Sequence, residues 1–281
     1  HRPPLAGLLF RRNLRRASVD RPVLLCRDPR VAAAAATNPR FASVVHEWHV
    51  RPDPADRHHA GALAALWHVT VAEGLRQDLL DCGVPAERIL LLPNACGLDP
   101  AAAERRSRGS GEGVIALGLH RRGGLDGALE AWRLAPDLPV LRLGGRDQGG
   151  ARLLQWARSV AGDPSLEGRV RFFGPAWAAD REALLDEAGV WLALYPDDED
   201  TRTRLCPLQI ADALGSGLPV VATDLPSIRA MSDAPHFVRP GDPVDLVRAL
   251  REAIASPRQH TPQPSWQDRA ARLIERVEAA L

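Results

Sequence analysis

Short apolar, often β-branched runs alternate with helix-length stretches along most of this chain, and that alternation confines it to an α/β fold built on parallel sheets. The early runs are Pro22-Val-Leu-Leu-Cys26, Phe41-Ala-Ser-Val-Val45, Leu66-Trp-His-Val-Thr-Val71 and Ile89-Leu-Leu-Leu92. A second series follows: Val114 to Leu117, Val140 to Leu143, Val170 to Phe173, Val190 to Leu194 and Val220 to Ala222. Being apolar on successive residues, these strands have no face to give to water, so helices must cover both sides of each sheet. Helices are expected over 30–37, 72–82, 125–134, 151–160, 180–188 and 208–214, joined to the strands by right-handed crossovers. Residues 105–113, rich in Arg, Ser and Gly, form the expected linker. The expected domains are 1–104 and 114–262, with 263–281 a terminal helix packing back toward the first.

The most informative stretch within this pattern is Arg204-Leu-Cys-Pro-Leu-Gln-Ile-Ala-Asp-Ala-Leu-Gly-Ser-Gly-Leu-Pro-Val-Val-Ala-Thr-Asp224. Pro207 fixes φ where a helix begins and needs no amide hydrogen. Gly215 and Gly217 end the helix, Pro219 blocks its continuation, and the apolar run is a buried strand. Pro207, Leu208 and Gln209 open a helix whose free amides and dipole favour an anion, and Asp212 lies one turn further in. A helix, a glycine turn and a strand also occur together with no ligand at all.

Composition narrows the ligand. All 36 basic side chains are arginine, against 35 acidic ones, and the formal charge of +1 gives no reason to expect nucleic acid. Without lysine there is neither a Walker A phosphate loop nor a lysine Schiff base, so arginine must carry any anion binding. Cys26, Cys82, Cys96 and Cys206 are widely spaced and read as reduced thiols. No segment is apolar enough to span a bilayer and no signal peptide opens the chain, so the expected location is cytoplasmic. Residues 4–17 alternate apolar residues with Arg11, Arg12, Arg15 and Arg16. The pattern reads as a basic amphipathic helix, expected to keep its polar face solvated or in peripheral contact with a membrane.

Two further places carry chemistry. The second strand runs into His46-Glu47-Trp48-His49, and in wound sheets the carboxyl ends of parallel strands open on the ligand crevice. Gly118-Leu-His-Arg-Arg-Gly-Gly124 follows a strand and opens a helix, so its amides with Arg121 or Arg122 could grip a diphosphate. Each has a plainer reading as surface histidines and a surface turn.

Pro207 to Asp224 resembles the SPLK-x-x-E-x-M-A-x-G-x-PVVATD signature of the group 1 family of retaining, GT-B-fold glycosyltransferases. Val69 to Asn94, Gly124 to Ala131, Leu141 to Gly145, Val170-Arg-Phe-Phe-Gly174 and the Trp266-Gln-Asp-Arg helix resemble further family segments in the same order. The resemblance implies two Rossmann-like, doubly wound domains facing across a cleft, with some six parallel strands in the first. About four fit here, so the first domain is expected to be incomplete and truncated at its front.

The same resemblance implies a donor site of Gly118, Arg121, Arg122, Gly174, Pro207, Leu208, Gln209 and Asp212, with Asp212 accepting ribose hydroxyls. It implies that His49 faces the transferred sugar, with Glu47 beside it and His46 in reserve as further catalytic candidates. The expected activity moves a sugar, hexosyl in type, from a nucleotide diphosphate sugar to a glycan or small-molecule acceptor with retention. It needs no metal and no cofactor beyond that co-substrate. Two departures stand out: Arg204 occupies the first acidic place of the family's E-x7-E pair, and Asn94-Ala-Cys-Gly-Leu-Asp99 holds extra residues before Asp99. Arg204 and the short first domain motivate the alternative of a degenerate, non-catalytic GT-B-like protein that binds nucleotide or glycan as a partner.

Overall fold

The computed structural model describes residues 22–98, 113–117, 126–144, 160, 163–172 and 178–279. The basic stretch 4–17, most of the linker and nearly all of the helix expected over 151–160 lie outside them. Two compact units divide the chain: one runs to Pro93 and takes in Thr203–Cys206 and the residues from Gln267, and the other comprises Asn94–Arg202 with Pro207–Trp266.

In the first unit the order is β1 (Val23–Cys26), α1 (Pro29–Ala36), β2 (Ser43–Trp48), α2 (Arg57–Ala62), β3 (Trp67–Thr70), α3 (Glu73–Asp81) and β4 (Ile89–Leu91). The four strands pair in parallel in the order β1-β2-β3-β4. The sheet follows from the apolar runs, and the helix starts follow from local chemistry. Asp28 caps α1 by accepting from the Arg30 amide at 2.9 Å, with Pro29 in the first turn. The centre of the sheet is buried throughout, whereas the edge strand β1 leaves Val23 44% and Leu25 49% exposed.

One expected boundary moves, and two stretches given no element from the sequence are helical. The second strand begins later than expected, at Ser43, and runs on through His46, Glu47 and Trp48, because β1 and β3 pair along its length. The stretch around His58 and His59, which shows no apolar period, is helix α2, because Asp56 accepts from both of their amides at 2.7 and 3.1 Å. The acidic stretch from Asp197 turns helical at Glu199, since Asp198 and Thr201 exchange hydrogen bonds at 2.8 and 3.1 Å.

The second unit holds β5 (Val114–Leu117), α4 (Asp126–Leu134), β6 (Leu141–Gly144), β7 (Val170–Phe172), α5 (Ala178–Glu187) and β8 (Val190–Ala193). After α6 (Glu199–Arg204), whose last residues group with the first unit, come α7 (Leu208–Gly215), β9 (Val220–Thr223), α8 (Pro226–Arg229), β10 (His236–Val238) and α9 (Pro243–Ala255). Its strands are all parallel, in the order β10-β9-β8-β5-β6-β7. Numbered from β5, this is the doubly wound order 3-2-1-4-5-6 of a Rossmann-like sheet. Strands β8 and β9 are buried along their whole length, as their unbroken apolar sequence requires. Trp132 is fully buried in this core, and its indole nitrogen donates to the Pro139 carbonyl at 2.9 Å. The last helix, α10 (Trp266–Glu278), sets Leu273 and Val277 on Val45, Trp67, Val69 and Leu92 of the first unit.

Candidate functional site

In the second unit the chain winds outward from β5 through β6 to β7 and then returns to β8, so the winding direction reverses between β5 and β8. Ligands of such sheets bind outside the carboxyl ends of the strands at that point. Gly118, Arg121 and Arg122, which follow β5 in the sequence, and Gly174, which follows β7, lie outside the described residues.

The loop leaving β8 is described and tightly held. The buried Tyr195 donates its amide to Thr223 Oγ1 at 2.8 Å, and its hydroxyl accepts from Gln209 Nε2 at 2.5 Å. Pro207 is the N-cap of α7, with φ −75° and ψ 114°, and no side chain caps the helix. The start of α7, with Leu208 and Gln209 in its first turn, thus stands beside the loop that ends β8. At the other end of α7, Gly217 adopts φ 77° and turns the chain into β9. Gly215 is needed for contact instead, because a Cβ there would come within 2.7 Å of Cys96 Sγ.

Asp212 is buried on α7, and its Oδ1 accepts from the Gly97 amide at 2.7 Å. Gly97 lies in the stretch 94–99 that departs from the resemblance, and that stretch is anchored by the Cys96 amide on the Pro264 carbonyl at 2.8 Å. This oxygen of Asp212 therefore serves the fold. Replacing Asp212 with Ala removes a hydrogen bond to a charged acceptor and strands the amide, an expected loss of roughly 1.5 to 3 kcal/mol. Asp212→Asn keeps an acceptor and loses much less. Urea unfolding of the unliganded protein measures both; an Asp212→Ala variant as stable as the parent would refute the assignment.

In the first unit, β2 sends its side chains alternately to the two faces of the sheet. His46 and Trp48 share one face, their rings edge to face at 4.5 Å, and Trp48 Nε1 donates to His68 Nδ1 at 3.1 Å. Burial pushes His46 and His68 down to about 4, so both are neutral bases inside the core. His46, the reserve catalytic candidate, packs beside Trp48 and is 2% exposed, with β3 paired alongside β2.

Glu47 points to the other face and is buried at the centre of a cationic cluster. Its Oε1 accepts from His49 Nε2 at 2.5 Å and pairs ionically with Arg27 Nη2 at 2.7 Å, and its Oε2 accepts from Arg269 Nη1 at 3.2 Å. Burial alone would raise its carboxyl, but the hydrogen bond from His49 and the charges of Arg269 and Arg27 outweigh it and hold Glu47 down to about 2. His49 follows the strand end with its side chain 33% exposed. Sequence reasoning missed Arg27 and Arg269. The signal for Arg27 was an arginine directly after a strand; Arg269 had none beyond its place in the terminal helix.

Both units are parallel α/β sheets, and the second carries a switch point with an uncapped helix start beside it. Residues 113–256, half of the chain, match the family described as glycosyl transferases group 1. The chain belongs to that family, and its activity is glycosyl transfer.

Solved structures agree on the fold. Anabaena Alr3699/HepE, solved with UDP and glucose, is 16% identical over 99% of this chain and 83% of its own, with a TM-score of 0.71. Sucrose-phosphate synthase from Thermosynechococcus elongatus is 17% identical over 100% and 81%, with a TM-score of 0.69. The UDP-forming trehalose-phosphate synthase from Burkholderia xenovorans, solved with glucose-6-phosphate, is 12% identical over 97% and 73%, also at 0.69. No curated protein sequence matches the chain. The fold is the expected GT-B-like one of two parallel-sheet α/β units. Among the described residues no helix is long and apolar enough to cross a membrane, and no cluster of His, Cys, Asp or Glu is placed to hold a metal ion.

Proposed function

We propose that the protein transfers a hexosyl group from a nucleoside diphosphate sugar to a hydroxyl of a glycan or small-molecule acceptor, with retention at the anomeric carbon. The observation that carries this reading is the switch point of the second unit with the start of α7 beside it, inside the residues that match the family. As the bond to the donor's sugar breaks, negative charge grows on the leaving diphosphate. The amides of Leu208 and Gln209 and the positive end of the α7 dipole are suited to receive it, with Arg121 and Arg122 as the expected cationic partners. The leaving group departs with the bonding pair, so the step needs no redox cofactor.

Retention and the role of His49 as the residue that orients the sugar rest on the family resemblance. UDP is the first nucleotide to test, because Alr3699/HepE was solved with UDP and with UDP-glucose. The four free cysteines accord with the reducing, cytoplasmic setting proposed here. The basic stretch 4–17 is the proposed place of any peripheral membrane contact.

Thermal unfolding with UDP, GDP, ADP, dTDP and CMP in turn tests the donor site. A nucleotide at about 100 times its Kd adds roughly 2.7 kcal/mol, several degrees in Tm for a chain of this size. UDP is expected to give the largest shift, and UDP-hexoses then to be hydrolysed or transferred. A folded protein that responds to none of the five nucleotides has no such donor site.

A further inference from the structure

Glu47 brings the terminal helix to bear on His49. Arg269 stands on α10 and is buried, and its guanidinium is fixed from behind: Nε donates to the carbonyls of Leu92 and Pro93 at 3.2 and 3.1 Å, and Nη2 to Leu92 at 3.1 Å. Those carbonyls follow β4, so the end of the sheet aims the remaining donor, Nη1, at Glu47 Oε2. The other carboxylate oxygen, Oε1, is left for His49 and for the largely exposed Arg27. A carboxylate bound in this way accepts and cannot donate, so the His49 nitrogen facing it must carry hydrogen.

We infer that Arg269, acting through Glu47, is a positioning residue for His49: it fixes the carboxylate, which in turn holds the ring hydrogen on Nε2 and leaves Nδ1 as the free acceptor of the neutral ring. This rests on the reading of His49 as the residue that meets the transferred sugar. Glu47, a catalytic candidate by sequence, then acts one step back from the sugar. The consequence is a ring with one fixed orientation and one available acceptor, suited to take a hydrogen bond from a sugar hydroxyl. Such hydrogen-bonded orientation of a histidine is how a second residue commonly sets which ring nitrogen is available.

The test is the ring nitrogen spectrum of the full chain labelled with 15N-histidine at pH 8, with His49 assigned by its loss in His49→Gln. The parent is expected to show His49 almost wholly as the Nε2–H form. Glu47→Gln should give a mixture, because an amide can accept from Nε2–H or donate to a bare Nε2. Arg269→Met should also give a mixture, since the carboxylate loses its buried anchor, while Arg269→Lys should restore much of the parent form. If Arg269→Met does not fold, Glu47→Gln and Arg269→Lys carry the test.

With a turned-over donor, Glu47→Gln should lower kcat at least tenfold while the donor KM stays within about twofold. A purely structural role would not move the tautomer in a protein that keeps its melting temperature. The positioning role is overturned if His49 keeps the Nε2–H form in Glu47→Gln. No turnover of any sugar donor by the parent overturns the functional reading instead and leaves the spectrum to speak for the contact chain alone.

Discussion

Acidification from pH 7 to pH 4.5 is expected to remove several kcal/mol of stability, with two buried imidazoles as the main cause. His46 and His68 are held at about 4 by burial, against an ordinary value of 6.5. Below pH 6.5 the unfolded chain takes up protons at both positions while the folded chain refuses them. Stability is therefore complete above about 6.5, falls as pH drops toward 4, and stops falling on this account below 4. Each histidine contributes a slope of up to about 1.4 kcal/mol per pH unit, so the pair can remove roughly 5 kcal/mol over two units. Geometry gives the same sign independently, because His68 Nδ1 accepts from the Trp48 indole and can do so only while unprotonated. Glu47 adds a lower window: its carboxyl, held at about 2 against 4.5, contributes stability that is present above 4.5 and lost toward 2. Urea unfolding across pH 7 to 4.5 measures the slope. His68→Gln keeps an acceptor for Trp48 but cannot titrate, and it should lose about half of the steepness; an unchanged slope would place the acid sensitivity elsewhere.

These histidines also show where sequence reading stops. The strands of both sheets were legible because parallel strands need apolar residues on both faces, and Val190 to Leu194 or Val220 to Ala222 have few other uses. The helix at Leu208 was legible from Pro207 and from Gly215 and Gly217. His46 and Glu47 were not, because polar residues near a strand end look alike whether they leave the sheet or stay inside it. What separates them is the register against β1 and β3, together with an arginine more than two hundred residues away, and neither is local. The helix at Arg57 was missed although Asp56 is a good cap, since two adjacent histidines and a glycine gave no apolar period to follow. Asp212 was visible as a position but not as a contact, because its partner Gly97 lies in the stretch where the chain leaves the family pattern.

Arg204 departs most plainly from the family pattern, and removing its partner should have the second large effect. Its Nε and Nη2 donate to the two oxygens of Asp78 on α3 at 2.6 and 2.7 Å, a bidentate pair with side chains only 11% and 6% exposed. Arg51 adds a longer contact to the same carboxylate at 3.5 Å. Where the resemblance places an acid, this chain has built a buried ion pair, and the acid of the pair stands on a different helix. Asp78→Ala leaves the Arg204 charge desolvated without its main partner, which should cost about 3 to 5 kcal/mol and lower Tm by about 10 °C. Arg204→Glu, which restores the family residue, sets two carboxylates against each other and should destabilise as well. Replacing both partners by Leu strands no charge, so that double variant should lose clearly less than the two single losses summed. It also separates structure from chemistry. With the pair gone but the fold kept, UDP affinity by calorimetric titration should stay within a few-fold of the parent, because Arg204 is committed to Asp78. A loss beyond tenfold in a folded double variant would mean that Arg204 meets the ligand and that its place in the acidic pair is functional after all.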